Sequence, residues 1–422
     1  MAPTSKLRKW PRRFFSALGP GLITGAADDD PSGIATYSIA GAQLGTSLLW
    51  TALLTWPLMA AVQMMCARIG MVRGEGLAAA LRKRIPRPLV ITATFLLLLA
   101  NTINIAADLA GMADAAEMLT GLNSRIYVVV FGVGIVVAVV LFPYHRIASI
   151  LKWLALALFA YVIAAFRVGV DWREVAHSAF VPSWPQSREA WATLVAILGT
   201  TISPYLFYWQ ASEEVEEQKS HGRATLASRR GATGREITDR TLDVGVGTFF
   251  SNVVMFFIIL TTAVTLHQHG ITKIETSRQA AEALRPLAGG FAATLFTVGI
   301  LGVGLLAIPT LAGSAAYAFA ETFGWKQGLD RKIGGARHFY FVVGISTAAG
   351  IALDFAKISP LKALYWSAIA NGLLAPFLLV GVLLVASSRK LMEKQPSSVI
   401  GRVTVGFATL LMFGAAIGMF VF

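Results

Sequence analysis

The sequence predicts an all-α membrane protein of about eleven spanning helices, arranged as two inverted five-helix halves with one helix appended. Three observations predict it. Mean hydropathy is +0.64, and 55% of the 422 residues are hydrophobic against 14% charged, too little polar surface for a soluble chain. Apolar runs long enough to span a bilayer recur from end to end. Two of those runs, the first and the sixth, are interrupted by Pro and polar residues at mid-span, which is the spacing of matching positions in two halves.

The elements follow in order. Residues 1–13 are basic and lack the apolar core and small-residue cleavage site of a signal peptide, so they read as a cytoplasmic tail. Spans are expected at 14–44 (broken), 46–69, 90–119, 126–142, 147–167, 191–217 (broken), 242–266, 290–321, 339–356, 360–386 and 399–421. The halves are then 14–167 and 191–386, within a core of 14–386, and 387–422 carries the eleventh helix. Segment 168–190, with Trp172, Trp184 and Pro185, reads as an external loop with interfacial aromatics, and 218–240 as a polar, mobile connector without a separate soluble domain.

Net charge is +13, which taken alone suggests nucleic acid. The positions of the charges exclude that partner. Lys and Arg concentrate in alternate short loops (Arg82 to Arg87, Lys219 to Arg240, Lys326 to Arg337, Arg389 to Lys394), as the positive-inside rule requires for a multi-pass protein of the cytoplasmic membrane with its N-terminus in the cytoplasm and, for an odd number of helices, its C-terminus outside. Cys66 is the single cysteine, so no intrachain disulfide supports the fold.

The first interruption reads Gly25-Ala-Ala-Asp-Asp-Asp-Pro-Ser-Gly33. An acid at membrane depth costs roughly 2.5–3.5 kcal/mol on insertion scales, and Pro31 cannot continue a regular helix, so Asp28, Asp29 and Asp30 mark a transporter-type substrate site or ion path. Neighbouring helical residues point about 100° apart, so all three cannot face one ion. Asp28 and Asp29 either pair elsewhere or line an outer vestibule. The second interruption reads Leu198-Gly-Thr-Thr-Ile-Ser-Pro-Tyr205, where freed carbonyls and half-helix dipoles suit a cation. The other reading of each break is a simple proline kink.

On span three, Asn101, Asn104 and Asp108 share one face. They line the ion path or make interhelical hydrogen bonds, and Asp108 is the stronger ion-path candidate because an unpaired acid there is costly. Asn371 on span ten and Asn252 on span seven carry the same two readings. Gln210 and the run Glu213 to Glu217 continue span six, either as an acidic vestibule or as a solvated helix end paired with Arg229 and Arg230.

These residues resemble a known family. Gly19-Pro20-Gly21, Asp30-Pro31-Ser32-Gly33, Gly41-Ala42-Gln43-Leu44-Gly45 with Leu48-Leu49-Trp50, Asp108-Leu109-Ala110 and Gly199 to Pro204 look like motifs of the NRAMP divalent-metal transporters. The resemblance implies a leucine-transporter-like fold and alternating access. The family carries Asp-Pro-Gly-Asn in helix one and Met-Pro-His in helix six. Here Asp30 is kept, while Gly33 stands at the Asn position, Ser203 at the Met position and Tyr205 at the His position, and Gly111 replaces the Glu that follows the third-helix Asp. This pattern looks like the divergent NRAMP-related magnesium transporters.

On that resemblance the metal site would comprise Asp30, Thr200 or Thr201, Ser203 and water, with Gly33 widening it. A thioether is soft and selects transition metals, whereas a hydroxyl suits Mg²⁺ or Mn²⁺, and a roomier site suits an ion that keeps its water. The six His residues (145, 177, 221, 267, 269 and 338) fall in loops or near helix ends. No mid-membrane His relays protons, and uptake is expected to be weakly coupled or uncoupled to them. The competing readings are a proton-coupled Mn²⁺/Fe²⁺ importer of the main NRAMP type and, from a different substrate class, a sodium-coupled organic-solute carrier. No nucleotide loop or nucleophile–base pair points to an enzyme, no resident cofactor is expected, and the partners are the metal ion and the lipid bilayer, without an obligatory protein partner.

Overall fold

The computed structural model describes residues 20–143, 146–147, 151, 153, 156–329, 331–355 and 359–422. The basic tail 1–13, His145 and most of the stretch that opens the fifth span lie outside the described residues. Among the described residues the chain is helical and has no strand. The helices used below are α1 (Pro20–Asp28), α2 (Pro31–Leu44), α3 (Trp50–Arg73), α4 (Leu77–Leu81), α5 (Arg87–Thr120), α6 (Ser124–Leu141), α7 (Phe159–Ala165), α8 (Trp172–Phe180), α9 (Arg188–Thr201), α10 (Pro204–Ser220), α11 (Gly234–Thr265), α12 (Ala292–Phe323), α13 (Arg337–Asp354), α14 (Pro360–Ala386) and α15 (Val399–Val421).

Among the described residues, eight helical stretches are long and apolar enough to cross a membrane. The interrupted α1/α2 pair, the stretch ending in α7, and α13 fall on the remaining expected spans. Long central α5 packs on α12, α13 and α14; α11 packs on α1, α2 and α3; α9 packs on α14 and α15. Large apolar side chains such as Phe95, Leu99, Val130, Phe341, Ile400 and Leu410 face outward, while Asp28, Asp30, Asn104 and Asp108 are buried. In lipid, apolar surface gives helices little reason to associate, so close backbone packing must hold the bundle. It does so through glycines: a Cβ on Gly25 of α1 would collide with the Gly247 backbone of α11, and one on Gly199 of α9 with Ala368 and Gly372 of α14. At the far end of α9, Trp191 stacks on Phe422 (centroids 5.9 Å apart, planes at 12°) and covers Gly418 of α15.

Local chemistry moves several boundaries. The second span was expected at 46–69, but α3 runs from Trp50 to Arg73 because Gly45, at φ 59°, ends α2 and residues 46–49 form turns before α3 starts. The connector 218–240, expected as a polar, mobile segment, contains helix over much of its length. α10 continues to Ser220, a capping box between Thr233 and Glu236 starts α11 early, and the segment between is tied down by Gly231 N–H to Val72 O (2.9 Å) and Arg229 Nε to Gly74 O (3.0 Å). The loop 168–190 contains α8, capped by Asp171, with Trp172 and Trp184 exposed. The second break is narrower than residues 198–205: α9 keeps its helix through Thr201, and only Ile202 and Ser203 separate it from α10.

Candidate metal site

Both breaks are made by proline acting on a helix ladder. In a continuous helix the carbonyl of residue i accepts the N–H of residue i+4. Pro31 has no N–H to offer Ala27, and Pro204 has none to offer Thr200. Each proline therefore frees one carbonyl of the preceding half-helix, beyond those that any helix end leaves open, and starts a new half-helix where proline is favoured.

Asp30 is the N-cap of α2. Its Oδ1 accepts the Gly33 N–H (2.7 Å) and the Ser32 hydroxyl (2.8 Å), and its Oδ2 accepts Asn104 Nδ2 (3.1 Å). A carboxylate at a helix N-terminus also gains from the dipole. The same Asn104 amide reaches Asp108 Oδ2 at 3.1 Å, and Asn371 Nδ2 meets Asn104 Oδ1 at 3.4 Å. The three helices α2, α5 and α14 thus bring Asp30, Asn104, Asp108 and Asn371 into one cluster. Asn101 is different: its amide binds Leu311 O and Ser314 Oγ on α12, an interhelical bond, and Asn252 likewise serves Thr55 and Thr248.

Asp28 and Asp29 face α11. Ser251 Oγ lies 2.8 Å from Asp28 Oδ2 and 3.1 Å from Asp29 Oδ1. Asp28 Oδ1, Asp108 Oδ1 and Asn371 Oδ1 are buried acceptors without a hydrogen-bond partner among the described residues, and none of the four acids forms an ion pair with Lys or Arg there. Buried oxygens left in that state favour a cation. Among the described residues no group of three or more His, Cys, Asp or Glu side chains is arranged to hold a metal. A bound ion would need hydroxyl, amide, carbonyl or water oxygens beside a carboxylate.

The α9/α10 side supplies hydroxyls. Thr200 Oγ1 meets Tyr37 Oη at 3.1 Å, and a Cβ at Gly33 would sit 3.0 Å from that same Thr200 oxygen. The space expected to open at Gly33 is therefore taken up by Thr200 and Tyr37. Ser203 turns its hydroxyl onto the Gly199 and Thr200 carbonyls (2.8 and 2.6 Å). Thr201 is not brought into this cluster, since its hydroxyl serves Ile197 O (2.8 Å) within α9. Tyr205, which the sequence singled out only as a departure from a motif, donates to Ala27 O across the two breaks at 3.0 Å. The signal for that contact was Pro31, which leaves Ala27 O in need of a donor.

Gln210 belongs to a separate network near the start of α1. Thr24 Oγ1 donates to Gln210 Oε1 (2.7 Å), and Gln210 Nε2 donates to Glu214 Oε1 (2.8 Å). Arg240 of α11 gathers Glu214 (Nε to Oε1 2.7 Å, a charge contact poorly angled for a hydrogen bond), Glu217, and Asp243 (2.5 Å), while Asp243 Oδ2 also accepts the Gly21 N–H at 2.8 Å. Glu214 and Glu217 are thus paired with Arg240, not with Arg229 or Arg230 as the sequence suggested. Arg229 binds backbone carbonyls and Arg230 pairs with Glu393.

Known proteins resemble this chain in sequence and in fold. The family model for Nramp, natural resistance-associated macrophage protein-like, matches residues 21–422. The divalent metal cation transporter MntH of Mesorhizobium japonicum is 30% identical over 322 residues, covering 72% of this chain and 67% of the relative. The manganese transporter of Eremococcus coleocola superposes with a TM-score of 0.78 at 18% identity, covering 99% of this chain and 89% of that one. Mhp1, a nucleobase-cation-symport-1 family transporter, superposes with a TM-score of 0.54 at 16% identity, covering 95% and 92%. The fold is that of the leucine-transporter-like proteins, all-helical with the first and sixth spans broken.

Proposed function

The chain belongs to the Nramp family, whose relatives are multi-pass membrane transporters of divalent metal cations, and from that premise we propose that it imports Mg²⁺ or Mn²⁺ across the cytoplasmic membrane by alternating access. The observation that carries this reading is Asp30, a buried N-cap carboxylate between two half-helices that accepts from the Ser32 hydroxyl, the Gly33 N–H and the Asn104 amide, with no thioether among its hydrogen-bond partners in the described residues. Hard oxygen donors of this kind favour hard cations. Asp108, Asn104 and Asn371 extend the polar surface along which an ion would travel. Uptake is driven by the ion gradient and membrane potential with little or no proton movement, since position 111 lacks a carboxylate and the described His residues lie near helix ends.

The N-terminus is placed in the cytoplasm and the C-terminus outside on the distribution of Lys and Arg. The working unit is residues 14–386, in halves 14–167 and 191–386, with 387–422 appended. It requires no resident cofactor, no nucleic acid and no obligatory protein partner.

Purified protein in liposomes tests the reading. Mg²⁺ and Mn²⁺ should enter, and Asp30→Ala should abolish entry of both. Equal transport of Cd²⁺ with indifference to Mg²⁺ would refute the hard-site assignment. A proton-coupled Mn²⁺ importer is the second reading, favoured by the relatives named as MntH and manganese transporters. Acidification of the lumen that depends on added metal would establish it instead.

A further inference from the structure

The two prolines free two carbonyls, Ala27 O and Thr200 O, and both are covered by hydroxyls from the second break: Tyr205 Oη at 3.0 Å from Ala27 O, and Ser203 Oγ at 2.6 Å from Thr200 O. We propose that Tyr205 and Ser203 determine specificity by capping these carbonyls, withholding two hard backbone ligands so that the transported cation keeps part of its water shell. The inference rests on the divalent-cation reading given above and concerns how that same site chooses its ion.

The chemistry follows from donor properties. A carbonyl freed by proline in a membrane must be satisfied by a donor, by water or by a cation. An O–H donor already in place competes with the cation for the same oxygen. Ser203 and Tyr205 are the two residues that flank Pro204, and they reach opposite sides of the break: Ser203 closes on its own half-helix, Tyr205 crosses to α1. Tyr205 is fully buried, so no bulk water takes over if its hydroxyl is lost. A methionine in place of Ser203 has no hydrogen to donate, and would leave Thr200 O open. The hydroxyls at positions 203 and 205 therefore do more than add hard oxygens to the site. They lower the number of protein oxygens free to replace water, which favours Mg²⁺, an ion that dehydrates reluctantly, over ions that exchange water readily.

Tyr205→Phe and Ser203→Ala remove the hydroxyls with little change in shape. Both variants and the unmodified protein are reconstituted in liposomes, and the ratio of kcat/KM for Mn²⁺ to that for Mg²⁺ is measured. Removing one cap should raise that ratio by about three- to tenfold, the range that one net hydrogen bond is worth. A variant that is merely damaged lowers uptake of both ions in parallel and leaves the ratio unchanged. An unchanged ratio in both variants overturns the capping role while leaving the divalent-cation reading intact. Absence of Mg²⁺ and Mn²⁺ uptake by the unmodified protein overturns that reading and this one with it. If Tyr205→Phe does not fold, Ser203→Ala tests the same mechanism at Thr200 O.

Discussion

Arg240 holds three carboxylates with one guanidinium, and Glu214 and Asp243 are almost without solvent contact. Removing a buried ion's partner costs about 3–5 kcal/mol because the remaining charge stays desolvated. Arg240→Ala should therefore lower the thermal midpoint in detergent well beyond a surface control such as Arg235→Ala, whose guanidinium is mostly exposed. At this scale the sequence made Asp30 legible, because a carboxylate beside proline at membrane depth has few structural uses. It left Asp28 and Asp29 open, and what decides their place is Ser251, over 220 positions away in the chain. It offered Thr201 as an alternative to Thr200 in the metal site and Gln210 as an ion-path candidate. Rotation about a helix separates Thr201 from Thr200, and Gln210 lies about a turn and a half beyond Tyr205, next to the Arg240 cluster.

Among the elements, apolar run length located the spans, and caps decided where they end. The second span starts at Trp50, after the turn at Gly45, and the 218–240 connector becomes helix again at the Thr233–Glu236 box, so local caps adjust the ends that hydropathy sets. Helix crossings were not legible, because a glycine in an apolar run looks the same whether it faces lipid or a neighbouring backbone. Gly199 and Gly372 face each other where α9 crosses α14. Gly372→Leu should force these helices apart, and the variant is expected to lose its monodisperse peak in size-exclusion chromatography. Gly406→Leu, at a position where an added side chain meets open space, should keep it.

Over the whole molecule, the site is closed to solvent on every side: Asp30, Asp108, Thr200 and Ser203 are each at most 2% exposed. On the proposed alternating-access reading, an ion leaving toward the N-terminal end of α1 would meet the Thr24–Gln210–Glu214–Arg240 chain, which would have to part. With Cys66 replaced by Ser, a cysteine at Thr24 should react slowly with a water-soluble thiol reagent, and at least about tenfold faster when Arg240→Ala is added. Equal labelling rates would mean that Arg240 does not guard this route. The inverted arrangement behind such a gate was legible from two breaks in corresponding spans; the closed state was not, because it depends on how the halves meet. The stack of Trp191 on Phe422 bears on the same point as a mechanical linkage. Trp191 stands nine residues before Thr200 on one rigid rod, about 14 Å away along the axis. A swing of about 5° pivoting there displaces the Thr200 hydroxyl by about 1 Å, half the length of a magnesium–oxygen bond. If the last helix acts through this stack as an outrigger on the rod, then on the proposed divalent-cation reading Trp191→Ala should weaken cation binding in calorimetric titration, although Trp191 lies about 14 Å from Thr200.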